Sequence, residues 1–210
     1  MSKIKAIIFD FDGVIVESVR IKLYAFAELY SEYGEVVQEK VKSHHLYNGG
    51  MSRFEKIKYY HNEYLGMKIM ESEISELAKK FSDLVVKKVI EAPYVRGAYE
   101  FLEKYNSYYD FFICSGTPQD EIRLICRERK IDKFFLEILG SPKIKSDLVK
   151  NIKYEHKYRT DEMVLVGDAI SDLIAANQNR INFVGRYTSD ERIKEVKNKI
   201  CDLSQLERFL

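Results

Sequence analysis

The chain has 210 residues, 46% of them hydrophobic, with a formal net charge of +1 and an isoelectric point near 7.6. That length buries one sizeable core, or a core with a smaller insert. The charge balance excludes the basic footprint of a nucleic-acid or anionic-membrane binder. Local Lys runs exist, such as Lys194–Lys199, but acidic residues are mixed in and the run reads as a solvated helix face. Cys114, Cys126 and Cys201 show no CxxC spacing, which fits a reducing compartment rather than a disulfide framework. Cys114 lies inside an apolar run and is expected to be a small buried hydrophobe. No apolar stretch has the length of a bilayer span. The N-terminal apolar run is short and ends in aspartates, unlike a secretion signal, so the cytoplasm is the expected compartment.

In chain order, the first predicted strand is Lys5–Phe9. A long stretch without a convincing strand follows, with helical periods over Ser18–Tyr33 (Val19, Leu23, Phe26, Ala27 and Tyr30 on one face), Ser52–Leu65 and Ser72–Ile90. Pro93 and Gly97 punctuate the return to mixed structure. The remaining strands are Tyr109–Cys114, Phe134–Leu139, Met163–Val166 and Ile181–Val184, separated by helical patterns over Gly97–Tyr105, Gln119–Lys130, Ser146–His156 and Ser171–Asn179. Short apolar runs bounded by Gly and polar residues suit strands buried on both faces, and their alternation with helices predicts an α/β fold with a mostly parallel sheet flanked by helices. A direct crossover needs only about one helix. Residues 15–92 are therefore read as an all-helical cap inserted after the first strand, with residues 1–14 and 93–210 forming the core; the alternative is one contiguous α/β core.

Polar motifs follow four strands. Asp10, Asp12 and Gly13 follow the first; Ser115-Gly116-Thr117 the second; Lys143 and Lys145 the third, after Gly140-Ser141-Pro142; and Gly167-Asp168-Ala-Ile-Ser-Asp172 the fourth. Parallel strands bring all four motifs to one sheet edge. Adjacent carboxylates repel unless a cation or a shifted pKa compensates. Three of them suit a hard cation such as Mg²⁺. A hydroxyl with backbone N–H groups at a helix start suits a phosphate oxygen, and a lysine offsets carboxylate and phosphate charge. One aspartate can then attack phosphorus, since carboxylates form aspartyl-phosphates. Taken singly, Asp-Gly is an ordinary turn signal and Asp168 or Ser171 an ordinary helix cap. Their occurrence together at successive strand ends argues for a site.

With those motifs in this order, the chain resembles the haloacid dehalogenase superfamily over its whole length, in the phosphatase branch that carries a helical cap after the first strand. The resemblance implies a Rossmann-like core, a Mg²⁺ cofactor and a small-molecule phosphate ester as substrate. It implies that Asp10 is the nucleophile and that Asp12 is the general acid/base, with its backbone carbonyl on the metal. Ser115 would hydrogen-bond the transferred phosphoryl group, with Gly116 and Thr117 beside it. Asp168 would share the metal with Asp10, and Asp172 would support the metal site directly or through water. Dehalogenases lack an acid/base at the position of Asp12, so this residue points to phosphoryl transfer; an ester oxygen leaves more readily with a proton donor beside it. Many relatives show Gly-Lys-Pro-x-Pro where this chain has Gly140-Ser-Pro-Lys143-Ile-Lys145. Lys145 is preferred because it directly precedes a helical pattern, with Lys143 as the alternative.

The cap is expected to set the substrate. Asn48-Gly-Gly-Met-Ser-Arg53 offers a flexible turn, Ser52 as an N-cap, and Arg53 or Lys56 to reach an anionic group; its alternative is a plain interhelix turn with solvated charges. His44 and His45 are read as helix-end surface residues rather than metal ligands, and Tyr59 and Tyr60 as cap packing. The expected function is Mg²⁺-dependent hydrolysis of a phosphate monoester. A sugar-phosphate mutase using the same chemistry is the first alternative. A non-catalytic phospho-acceptor module is the second, though such modules lack a long helical insert. Phosphonate cleavage would need a cap lysine that forms a Schiff base, and the sequence singles out none.

Overall fold

The computed structural model describes residues 4–188 and 190–210. Strand β1 (Ala6–Phe9) is fully buried. The chain then makes a tight turn: Asp12 bridges Val16, and Val16 pairs antiparallel with Tyr94. The Val95 amide donates to the Ile15 carbonyl at 3.0 Å. The outgoing and returning segments of the helical region are thus tied together beside β1.

Between these segments lie α1 (Val19–Leu29), α2 (Glu35–Tyr47), α3 (Arg53–Tyr59) and α4 (Glu71–Glu91). A 3₁₀ turn, Ser31–Tyr33, interrupts the helical period expected to run on to Tyr33. Helix α3 passes into a π-helical turn, Tyr60–Leu65, which ends at Gly66 in the left-handed conformation. Helix α2 supplies what the sequence reading lacked: that reading places His44 and His45 at a helix end but finds no helical period between Tyr33 and Ser52. Its buried positions are only Val41 and His45, too sparse a stripe to register as amphipathic. The helices pack around Phe26, Tyr30, Tyr60 and Phe81, all almost fully buried. Phe26 and Phe81 rings lie 4.1 Å apart, and Tyr60 meets Phe26 edge-on at 5.7 Å. Tyr60 is packing, as expected; Tyr59 is partly exposed and stacks on His44 at 4.3 Å.

The second part continues with α5 (Ala98–Tyr105), β2 (Asp110–Pro118), α6 (Gln119–Glu128), β3 (Glu137–Ser141), α7 (Lys145–Glu155), β4 (Met163–Gly167), α8 (Ile170–Asn179), β5 (Asn182–Arg186), α9 (Glu191–Lys194) and β6 (Lys199–Ile200). The sheet has six parallel strands in the order β3-β2-β1-β4-β5-β6. It is the α/β fold predicted, with three adjustments. Strand β2 extends through Pro118, so Ser115-Gly116-Thr117 lies within the strand rather than after it. Phe134 belongs to a 3₁₀ turn, Asp132–Phe134, and β3 starts later than expected. The Lys194–Lys199 run is no helix face: α9 ends at Lys194 and Lys199 opens β6, beside the buried Ile200.

The chain leaves β1 in one direction to reach β2 and β3 and in the other to reach β4 and β5. The crevice beyond the carboxyl end of β1 is therefore the topological switch point, where open α/β sheets bind ligands. Backbone register holds the edge in line: Phe9 is level with Ile113 and Val166, and the Asp10 amide donates to the Val166 carbonyl at 2.9 Å. Beneath it, Phe9 is fully buried and meets Phe111 and Phe101 edge-on at 5.4 and 6.1 Å. The Phe9→Ala substitution is expected to lower stability by about 3–5 kcal/mol, read as a fall in the urea midpoint at unchanged slope.

Candidate active site

Three sheet-edge segments converge on one cluster as the topology requires. Asp10 stands at the end of β1, Asp168 and Asp172 follow β4, and Lys145 opens α7; all four are buried. One carboxylate oxygen from each of Asp10, Asp168 and Asp172 falls within 4.8 Å of the others. The Lys145 ammonium sits 3.0 Å from Asp10 Oδ1 and forms a short ion pair with Asp172 Oδ1. Asp172 Oδ2 accepts from the Ala169 amide at 3.1 Å. Asp172 is thus already engaged by a lysine and by its own helix start, while Asp10 and Asp168 keep oxygens for another partner. Lys143, the alternative lysine, is exposed outside this cluster.

Close approach explains two glycines. Gly13 has φ +75°, and a Cβ there would strike the Asp168 carboxylate. A Cβ on Gly167 would likewise strike Asp172. Small residues with free backbones let four charged groups crowd one edge.

Burial raises the Asp10 pKa to about 7, against the pull of Lys145 and with help from Asp172 and Asp12. Asp168 is pushed well above the carboxylate range by burial first, then by Asp10 and Asp172. Lys145 is held protonated: burial opposes its charge, but Asp10 and Asp172 outweigh it. Three carboxyl groups beside one ammonium in a dry site can all ionise only if further positive charge is present, which is why two of them hold protons so firmly. Such an all-oxygen set fits a hard divalent cation, which would supply that charge. Asp10 and Asp168 would hold it, with Asp172 in support.

Asp12 behaves differently. Its carboxylate turns towards the helical region and lies outside the cluster. Ser18 donates to it at 2.6 Å, Thr117 Oγ1 at 3.1 Å, and Lys22 through a short ion pair. Burial opposes its charge, yet Lys22 prevails and holds its pKa below the usual value. Lys22 Nζ also donates to Thr117 Oγ1 at 2.6 Å. The sequence reading missed Lys22, although there was a signal. It falls three residues after Val19 and four before Phe26, within the apolar stripe of α1, where a solvated lysine has no place. Ser115 is buried, and its Oγ accepts from the Thr117 amide at 3.1 Å.

The helical region lies directly on this edge. A Cβ on Gly116 would come within 2.6 Å of the Gly50 carbonyl oxygen. Ser171 Oγ donates to the Gly49 carbonyl at 2.9 Å. Ser52 caps α3 as expected, within a reciprocal capping box with Glu55. Arg53 does not point free into the cavity: its guanidinium pairs with Glu121 of α6 through both nitrogens, one at 2.8 Å. It also donates to Ser82 and lies 4.7 Å from the Phe81 ring centroid. Arg53 reaches an anionic group, but that group is a carboxylate of this chain. His45 corrects the surface reading. It is buried, its Nδ1 lies 3.0 Å from Lys56 Nζ, and burial and Lys56 hold its pKa well below the ordinary value. A cavity of about 90 Å³ is lined by Asp10, Asp12, Asp168, Gly116 and Thr117 from the sheet edge and by Lys22, His45, Arg53 and Lys56 from the helices.

The sequence matches the family of haloacid dehalogenase-like hydrolases over residues 7–186. The chain belongs to that family. Among solved structures it is similar to a haloacid dehalogenase-like hydrolase of Streptococcus pneumoniae, at 20% identity and TM-score 0.74, covering 100% of both chains. It is also similar to a predicted phosphoglycolate phosphatase from Haemophilus somnus, at 17% identity and TM-score 0.77, covering 99% of this chain and 98% of that one. A β-phosphoglucomutase from Clostridium difficile aligns at 21% identity and TM-score 0.77 over 97% of this chain and 93% of its own. At these identities the likeness is one of fold. No curated protein matches the chain in sequence. No helix among the described residues is long and apolar enough to cross a membrane.

Lys56 is 2% exposed, and burial, then Lys22, lowers its pKa from 10.5 to about 7. A lysine whose folded pKa lies below its unfolded one destabilises the fold. The penalty is full below pH 7 and is relieved as pH rises towards 10.5. Lys56→Met is therefore expected to be more stable than the parent at pH 6, by up to a few kcal/mol. That advantage should shrink steadily between pH 7 and 10, as urea unfolding at a series of pH values would show.

Proposed function

We propose that this chain is a Mg²⁺-dependent phosphohydrolase that cleaves a small-molecule phosphate monoester through an aspartyl-phosphate on Asp10. The observation that carries the reading is the division of labour between the two aspartates of one turn. Asp10 faces a buried acidic cluster and a lysine. Asp12 faces a hydroxyl and an ammonium outside that cluster.

In the first step the Asp10 carboxylate attacks phosphorus, the ester P–O bond breaks, and the leaving oxygen takes a proton from the Asp12 carboxyl. In the second, Asp12, now a carboxylate, takes a proton from water as the water oxygen attacks the phosphoryl group, and Asp10 is released. Lys145 keeps the Asp10 carboxylate oriented and offsets charge as it develops on phosphorus. Ser115, Gly116 and Thr117, just before the N-terminus of α6, supply hydroxyl and amide donors for phosphoryl oxygens. A Mg²⁺ bound by Asp10 and Asp168, with the Asp12 carbonyl and Asp172 in support, would neutralise phosphate charge and polarise the phosphoryl oxygens. Residues 15–92 act as a cap that excludes bulk water. Return of the phosphoryl group to a sugar instead of water would make the same site a mutase, and product analysis separates the two.

Asp10→Asn is expected to abolish phosphate release from a panel of small phosphate esters with Mg²⁺ present, a loss of at least about 10³-fold. Wild-type turnover by that variant would exclude the mechanism. Mg²⁺ affinity should also depend on pH. Protons on Asp10, whose pKa is about 7, and on Asp168 compete with the cation. Binding by calorimetry is expected to be at least about tenfold tighter at pH 8 than at pH 6; a flat profile would remove Asp10 from the metal site.

A further inference from the structure

The cap wall of the cavity carries three cationic side chains. Two are matched across the interface: Lys22 by Asp12 and Arg53 by Glu121. Lys56 has no carboxylate within ion-pair distance among the described residues. Its polar partner is His45 Nδ1 at 3.0 Å, and the Phe26 ring centroid lies 5.7 Å away. An imidazole that accepts a hydrogen bond at Nδ1 is neutral and returns no charge. An ammonium has three donors, and one suffices for His45. Among the described residues no carboxylate lies close enough to pair with the other two, Asp12 favouring the charge only at longer range, in a cavity that Asp10, Asp168 and Gly116 also line.

A buried cation without a counter-charge is costly, and a protein that builds one into a ligand cavity recovers that cost when an anion arrives. We infer that Lys56, oriented by His45, receives a second anionic group of the substrate, a carboxylate or a further phosphate, while the phosphoryl group to be transferred lies against Asp10. The inference rests on the phosphohydrolase reading and narrows it to small esters with an anionic group remote from the scissile phosphorus. The lowered pKa of Lys56 is consistent: burial and Lys22 disfavour the ammonium, and an anion beside it would restore it. Lys56 and Asp10 line one and the same cavity.

The test compares three esters of similar size: 2-phosphoglycolate, with a carboxylate; ethane-1,2-diol bisphosphate, with a second phosphate; and 2-hydroxyethyl phosphate, with neither. The full-length protein is expected to show a kcat/KM at least about tenfold higher for one of the two doubly anionic esters than for the neutral one, the size of one charge-assisted hydrogen bond. The ester that gains identifies the anion. In Lys56→Met the ratio should fall to within about twofold of one, and Lys56→Arg should restore part of it. Equal rates in the parent, or an undiminished ratio in Lys56→Met, overturn the inference. Should Lys56→Met fail to fold, His45→Gln is read instead: a ratio reduced at least about threefold supports the inference, and an unchanged one overturns it. Binding separates this claim from the catalytic one. Calorimetry of the same esters on Asp10→Asn protein, with and without Lys56→Met, needs no turnover. Lys56-dependent binding without hydrolysis of any ester by the parent keeps the anion site and removes the phosphohydrolase; binding indifferent to Lys56 removes the anion site.

Discussion

The constraint on which this molecule turns is the confinement of like charge. Asp10, Asp168 and Asp172 bring carboxylate oxygens within 4.8 Å of one another in a site that water scarcely reaches. In isolation such a cluster would push itself apart or take up protons. What holds it is mostly backbone. Asp10 is fixed by the β1–β4 ladder, Asp168 by the end of β4, and Asp172 by the first turn of α8, where its carboxylate caps the helix. The aromatic packing under Phe9 and the bare backbone at Gly13 and Gly167 follow from the same need, rigid support below and no Cβ above. Lys145 offsets part of the repulsion, and the remainder leaves a demand for positive charge.

The helical region between β1 and α5 answers that demand with opposite polarity, through unequal contacts. Arg53–Glu121 is a buried, two-pronged pair between α3 and α6, joined by Ser82 from α4. Truncating either partner would strand a charge, at a cost of about 3–5 kcal/mol, so this contact ties α3 and α4 to α6. Arg129 does similar work at the other end of the region. It donates to the carbonyls of Val89, Ile90 and Ala92, capping the end of α4, and lies 4.1 Å from the Tyr94 ring centroid. With the Gly49–Gly50 turn resting on Gly116 and Ser171, the cap touches the sheet edge through backbone as well as charge.

The parts of this arrangement that could be read in advance are those with a local pattern. Short apolar runs ending in Asp10, in Asp168 and near Ser115 mark buried parallel strands, and parallel strands put their ends together whatever the helices do. Lys145 was preferred over Lys143 on position alone, since it precedes a helix; the structure finds it buried against Asp10. Residues whose meaning depends on a distant partner were not legible. Arg53 sits in a Gly-rich turn next to a capping serine and looks free; its partner Glu121 is 68 positions away. His45 resembles a helix-end residue until α3 brings Lys56 against it. The bounds of helix α2 and the existence of strand β6 were not legible for a related reason: each is held by one or two buried side chains, too few to impose a period.

Lys22 shows how closure and chemistry share one contact. It reaches from α1 to Asp12 and Thr117, so it helps seat the cap, and it is also the group that keeps Asp12 ionised. On the proposed chemistry an ionised Asp12 suits the second half-reaction, in which a base is needed, and not the first, in which a proton must be delivered. A phosphoryl dianion entering beside Asp12 competes for the same ammonium and repels the same carboxylate; both effects raise the Asp12 pKa. On that chemistry Asp12 beside Lys22 alone is a poor acid, and an arriving phosphoryl dianion would supply the field that arms it. Once the leaving group has taken the proton and departed, Lys22 can return to Asp12 and favour the carboxylate that water requires. On the proposed chemistry, one lysine on the apolar stripe of α1 would thus favour a different protonation state of Asp12 in each half of the cycle.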